Sequence, residues 1–176
     1  MKLLFNGRKM KFKGFTALCM GILFILLAGC TFNEIPEETI NIPYLDERAL
    51  ENPEEEFTYS EVDGAYVHDF IKDNKNKAVR WTATVTRVEN SSTFELQEPL
   101  LPAILVTFAD ELDPAPQVGD VLTFKGVLTG YGETFGKDPL WVIRPARIES
   151  TTPDEQESLA KYQKAAQQAK EEADLP

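Results

Sequence analysis

From residue 79 the apolar side chains fall on every second position. In "VRWTATV", Val79, Trp81, Ala83 and Val85 alternate with Arg80, Thr82 and Thr84. A period of two puts one set on each face of an extended chain, so this stretch predicts a half-buried β-strand. The apolar phase slips before Val88, which predicts a bulge or strong bend near Thr86 and Arg87. Four further strand-like stretches follow before residue 150: "TFELQ" (93–97), "AILVTFAD" (103–110), "VLTFKGVLTG" (121–130) and "LWVIRPARIE" (140–149). A proline-rich loop, "ELDPAPQVGD", and a glycine-rich link, "YGETFGKDP", separate the last three. Five short strands divided by turn signals predict a mainly β domain, a small barrel or sandwich.

The same stretches nominate a core. Trp81, Val85, Phe94, Leu96, Ile104, Val106, Phe108, Leu122, Phe124, Leu128, Trp141 and Ile143 would fill it. Burying one such side chain contributes roughly 1.5–3 kcal/mol before entropy is set against it. Gly126 falls in mid-strand, where it permits the tight coiling that closes a small barrel. Pro145 cannot donate to a ladder and is expected at an edge or bulge.

Helical patterns flank the strands. In "SEVDGAYVHDFIKDN" (60–74), Val62, Tyr66 and Phe70 share one face, and Ser60 is a good N-cap with Asp63 three residues on. From residue 151, "TTPDEQESLAKYQKAAQQAKEEADLP" has Thr152 as N-cap, Pro153 at the first helical position and Glu155 completing a capping box. Its apolar stripe (Leu159, Tyr162, Ala166, Ala169) is thin, which predicts a largely exposed C-terminal helix ending in a frayed "ADLP". Ahead of these, residues 31–59 carry Pro36, Pro43, Pro53 and many acids. Such a segment reads as an extended tether.

The first residues have another purpose. Lys2, Arg8, Lys9, Lys11 and Lys13 precede a nearly unbroken apolar run over 15–28, and "LAGC" closes it. A basic region, a short apolar run and small residues before a cleavage point form a secretory signal. The run is short for a membrane span, which takes about 20 residues. Met10 would also serve as a start for a complete signal. The ending resembles the lipobox of bacterial lipoproteins, with Leu27, Ala28 and Gly29 in the lipobox positions and Cys30 as the modified residue. The resemblance implies a diacylglyceryl group on Cys30, cleavage before it, palmitate-type acylation of the new amine, and anchorage to a membrane. Two or three chains anchor stably where one does not. Thr31 follows, where an Asp would by family resemblance retain a lipoprotein at the inner membrane. The expected location is therefore the outer membrane facing the periplasm in a two-membrane cell, and otherwise the outer face of the plasma membrane. The expected organisation is signal 1–29, tether 30–59, barrel domain with its first helix 60–150, and C-terminal helix and tail 151–176.

From Cys30 onward the chain has 147 residues, 13 basic and 29 acidic, a formal charge of −16. Cys19 leaves with the signal and Cys30 takes lipid, so no disulfide can support the fold. Such acidity disfavours nucleic acid and anionic headgroups. Residues 75–150 alone carry eight basic and ten acidic side chains, which offers no electrostatic funnel for a single strand.

Residues 59–150 resemble the OB-fold lipoproteins of the tRNA-anticodon-binding-like family. The resemblance rests on "KDNKNKAVRWTATVTRV" (72–88), which leads from a helix into a bulged first strand, and on "VGDVLTFKGVLTG" (118–130), which opens the fourth. The first departs from the family in having Ala83 and Thr84 where a glycine is common. The fold it implies is a five-stranded OB barrel preceded by a short helix and followed by a C-terminal one.

Signals for chemistry are few. His68 is the sole histidine, and a lone helical His is usually a surface or packing residue. Without a second His or a free Cys, no zinc site is expected. "GETFGKD" fails as a phosphate loop, because its glycines are too close and Asp138 stands where Ser or Thr would bind magnesium. No cofactor is implied. Tyr131, Phe135 and Lys137 lie in the link between the last two strands, where OB-folds bind oligonucleotides or oligosaccharides together with the first loop, here Asn90–Ser92. The rings could stack on a ligand; the alternative is that they cap the barrel end. The expectation is a non-enzymatic envelope module for a protein or glycan partner. The alternative is a small hydrolase or transferase with a carboxylate site.

Overall fold

A computed structural model describes residues 34–45, 67–134 and 137–174. Five strands and two helices lie in the compact unit Ile35–Pro176. The strands are β1 (Ala78–Val88), β2 (Thr93–Leu96), β3 (Ala103–Phe108), β4 (Val121–Thr134) and β5 (Lys137–Glu149). Helix α1 (Val67–Asn74) precedes them and α2 (Pro153–Ala173) follows. The strands close into a barrel in the order β1-β2-β3-β5-β4, with β4 returning to β1. All pairs are antiparallel except β3 with β5. This order and sense are those of an OB barrel, so the fold class read from the sequence holds.

Local chemistry explains the closure. The register of β1 on β2 jumps between Val85 and Arg87, leaving Thr86 as the extra residue of a bulge at the expected place. The "VGD" sequence braces that bulge. Gly119 takes φ +98°, a left-handed conformation that suits glycine, and donates to the Val85 carbonyl at 2.9 Å. The Val85 amide donates to the Asp120 carbonyl at 2.8 Å, while the Asp120 carboxylate accepts from Gln117 N at 2.8 Å. Pro145 lies in an interior strand, at a register break on both sides: β3 slips between Val106 and Phe108, and β4 between Gly126 and Leu128. It is at a bulge and not at an edge, because β5 is paired on both sides.

Gly126 faces that break. A Cβ there would overlap the Ile143 side chain, approach Ala146 Cβ to 2.9 Å and the Pro145 carbonyl to 3.1 Å. β4 can cross β5 this closely only without a side chain at this point.

Eleven of the twelve expected core residues are buried, and Leu122 is half-buried. Helix α1 is described from Val67, so Ser60 lies outside the described residues. Its Phe70 and Ile71 pack on the core, with Phe70 edge-on to Trp141 at 6.2 Å. Asn76 at φ +70° ends the turn after it, and its amide donates to the Leu128 carbonyl at 2.8 Å. Helix α2 begins with the expected capping box: Thr152 Oγ1 accepts from Glu155 N, and the Glu155 carboxylate accepts from Thr152 N. The four stripe residues are those it buries.

Three expectations need correction. The "YGETFGKDP" link is not an open loop. β4 and β5 run on through it and pair as far as Thr134 with Lys137, so only Phe135 and Gly136, outside the described residues, lie between them. β1 is not merely half-buried, since Thr82 on its outer side is 6% exposed. The tether is also not free along its length. Residues 35–45 lie on the barrel, with Thr39 bridging Ala78 in parallel and Ile40 N donating to the Ala78 carbonyl at 2.8 Å. The physical reason is the length of β1. β2 pairs only with its last turn of pleats, Val85–Val88, so the other edge of its first half needs different partners. Residues 46–66 lie outside the described residues.

Replacing Gly126 with Ala is therefore expected to cost about 1–3 kcal/mol, the usual penalty for overpacking. Urea denaturation should show a lower midpoint at unchanged slope, and an unchanged midpoint would contradict the close crossing.

Candidate functional site

The docked segment meets β1 and α2 around one carboxylate. Glu98, in the "QEPL" turn after β2, is 2% exposed. Its Oε1 accepts from Thr84 N at 2.9 Å and from the Thr84 hydroxyl, and its Oε2 accepts from Gln163 Nε2 at 2.9 Å. Its own amide donates to the Tyr44 hydroxyl oxygen at 3.0 Å. Tyr162 of α2 donates its hydroxyl to the neighbouring Pro99 carbonyl. Burial, and then the charge of Glu98, push the Tyr162 phenol well above its ordinary range. Burial does the same to Tyr44, with the Glu98 carboxylate adding to it and the Glu98 amide opposing. Both oxygens of Glu98 are thus committed to the fold. The carboxylate supplies the acceptor for the Thr84 amide, while the Thr84 carbonyl accepts from Gln97 N at 2.9 Å.

Aromatic rings continue from this point into the barrel. Tyr44 is 2% exposed and lies 5.7 Å from Trp81, which donates Nε1–H to the Ile42 carbonyl at 2.7 Å. Trp81 meets Trp141 at 5.3 Å, and Trp141 meets Tyr131 at 4.5 Å.

On the outer side of β1 and β4 a polar layer is sealed. Thr82 and Thr123 share a hydroxyl hydrogen bond of 2.8 Å, and Thr123 shares another of 2.8 Å with Thr151. Lys125 is 6% exposed and donates Nζ–H to the Glu37 carbonyl at 2.5 Å. Arg80 donates to Glu155 at 2.8 Å, to Glu149 at 3.1 Å and to the Ser150 carbonyl at 2.9 Å. For Glu155, burial opposes the charge, but the bonds from Arg80 and Thr152 prevail and hold its carboxyl below the ordinary value of 4.5. A groove of about 440 Å³ remains between residues 39–45, Arg80 and Trp81 of β1, and Asp154, Glu155 and Ser158 of α2. Its one guanidinium, that of Arg80, is engaged by Glu155, Glu149 and Ser150. Among the described residues no cluster of His, Cys, Asp or Glu could hold a metal ion, and no helix is long and apolar enough to cross a membrane.

The residues singled out from sequence are placed unevenly. Tyr131 is half-buried in β4 against Trp141. Lys137 begins β5, opposite Thr134. Phe135 and Cys30 lie outside the described residues, as do the side chains of Lys137 and His68. The loop Asn90–Ser92 is an Asx turn, with Asn90 Oδ1 accepting from Ser92 N at 3.0 Å and from Thr93 N at 2.9 Å. On β2 and β3 the aromatics, Phe94 and Phe108, point into the core. Their outer positions carry Thr93, Glu95, Leu105 and Thr107. Sequence reasoning missed Glu98, Tyr44 and Gln163. In "ELQEPLLPAI" nothing distinguishes Glu98 from Glu95, and no signal for the site was available.

The class defined by this geometry is a closed five-stranded barrel of OB topology with both flanking segments docked on it. No family model matches the chain, and no curated protein does. A solved structure of U. maydis Replication protein A bound to ssDNA is similar over 58% of this chain and 84% of that one, at 12% identity and a TM-score of 0.29. The fold class follows from strand order and pairing alone.

Two expectations follow. Glu155 is held below its unfolded value, so the stability it contributes is present above pH 4.5 and lost as pH falls through the folded value. The stability gap between the wild type and Glu155→Gln should therefore be widest near neutral pH and close on acidification below 4.5. A gap independent of pH would contradict the pairing. Tyr131→Ala should lower stability by about 1–3 kcal/mol, as expected for a half-buried ring packed on another. An unchanged thermal midpoint would contradict this packing.

Proposed function

We propose that this chain is a lipoprotein of the bacterial cell envelope that displays an OB barrel as a non-catalytic binding or scaffolding module. The observation that carries the reading is the sequence "FILLAGC", an apolar run ending at Cys30 in a lipobox-like set of small residues. The acyl chains on Cys30 are the membrane partner, and the barrel's own partner is a protein or glycan of the envelope. The formal charge of −16 from Cys30 onward supports a partner other than nucleic acid. So does the outer face of β2 and β3, where Thr93, Glu95, Leu105 and Thr107 offer no ring on which a base could stack. The commitment of both Glu98 oxygens to internal hydrogen bonds makes this carboxylate a structural group. Kinship with the tRNA-anticodon-binding-like lipoproteins is part of this proposal, and implies shared fold ancestry only.

Mass spectrometry of the purified mature protein should find an acylated Cys30 as its first residue. Cys30→Ala should move the protein from the membrane to the soluble fraction, or leave the signal uncleaved. A mature chain that begins elsewhere and carries no acyl group would overturn the reading.

A further inference from the structure

A tether normally sets how far a lipid-anchored domain can reach. The acidic stretch 31–59 reads as such a tether, but residues 35–45 are built into the barrel. Glu37 receives Lys125 through its carbonyl, Ile40 pairs with the edge of β1, Ile42 receives the Trp81 indole, and Tyr44 is buried beside Glu98. These contacts are spread along the whole segment and end in the core itself. Six residues separate Cys30 from Glu37, the first residue of the segment with such a bond. Fully extended, those seven Cα steps cover about 25 Å.

We infer that residues 35–45 act as a strap that holds the barrel at the membrane surface. The inference rests on the acylation of Cys30 proposed above, and it adds where the module works. Its partner must come within a barrel's width of the lipid headgroups, as an integral membrane protein, another anchored protein or the proximal end of a glycan would. Residues 46–66 follow the strap in the chain and lie between two points that are both attached to the barrel. They add nothing to the reach, however long they are. The acidic, proline-containing composition of this stretch is therefore no measure of distance from the membrane.

The two sides of the strap can be tested separately. A flexible Gly/Ser insert of 30 residues adds about 30 Å of root-mean-square reach where it lies in the path to the anchor. It would be placed either between Glu34 and Ile35 or between Leu45 and Asp46, in the full-length acylated protein. Each form would carry a fluorescent donor on a cysteine replacing exposed Ser91, in phosphatidylethanolamine/phosphatidylglycerol vesicles with a headgroup acceptor. The insert after Glu34 should lower energy transfer more than about twofold, in keeping with the added reach. The insert after Leu45 should leave it unchanged. Equal losses from both inserts, with Cys30 acylation intact by mass spectrometry, would overturn the strap and leave the lipoprotein reading standing. Absence of the acyl group from the uninserted protein would overturn both, and the mass spectrum tells the two failures apart.

Discussion

The fold turns on a mismatch in strand length. β1 has eleven residues and its neighbour β2 has four. A barrel closed by these two strands alone would leave the first half of β1 with an unpaired edge, and buried amides without acceptors are costly. Three features of the molecule answer this deficit. Residues 39–40 bridge the start of the edge, Glu98 supplies a carboxylate to Thr84 near its end, and Gln163 of α2 holds the second oxygen of that carboxylate. The docked N-terminal segment and the C-terminal helix are therefore parts of the barrel wall. A buried, hydrogen-bonded carboxyl group of this kind is costly to disrupt, because removing one partner leaves a buried polar atom unsatisfied.

Much of the barrel was legible in the sequence because its cause is periodic. Alternation at Val79, Trp81, Ala83 and Val85 reports one buried face, and the phase slip before Val88 reports the bulge. The capping box of α2 was equally plain, since Thr152, Pro153 and Glu155 act within one turn. The docked segment was illegible for the opposite reason. Ile40, Ile42 and Tyr44 are few apolar residues among prolines and acids, and what orders them is an open strand edge far along the chain. Local composition cannot report a distant vacancy. Glu98 was missed likewise, because a buried acid looks the same in sequence as an exposed one. The extension of β4 and β5 through "YGETFGKDP" was hidden by glycines, which mark turns more often than strands. Here the pairing of Tyr131 with Trp141 across the hairpin outweighs that tendency.

The surface left over is correspondingly plain. The sealed layer of Thr82, Thr123 and Lys125 is unavailable to a partner, and Arg80 is occupied by Glu149 and Glu155. What remains outward on β2 and β3 is a mixture of hydroxyls, one acid and one leucine, with Arg87 held by Glu95 and Glu89. Such a face offers hydrogen-bonding groups but no ring for stacking.

The wiring of Glu98 also orders events in time. Its partners are Tyr44, made early, Thr84, made midway, and Gln163, made almost last. A chain that emerges from its N-terminus cannot complete this carboxylate's shell until the final helix is out. Until then Glu98 Oε2 lacks its Gln163 donor, although the docked segment and β1 are already made. Helix α2, whose Tyr162 and Ala166 belong to the core, is the closing step of assembly for this carboxylate.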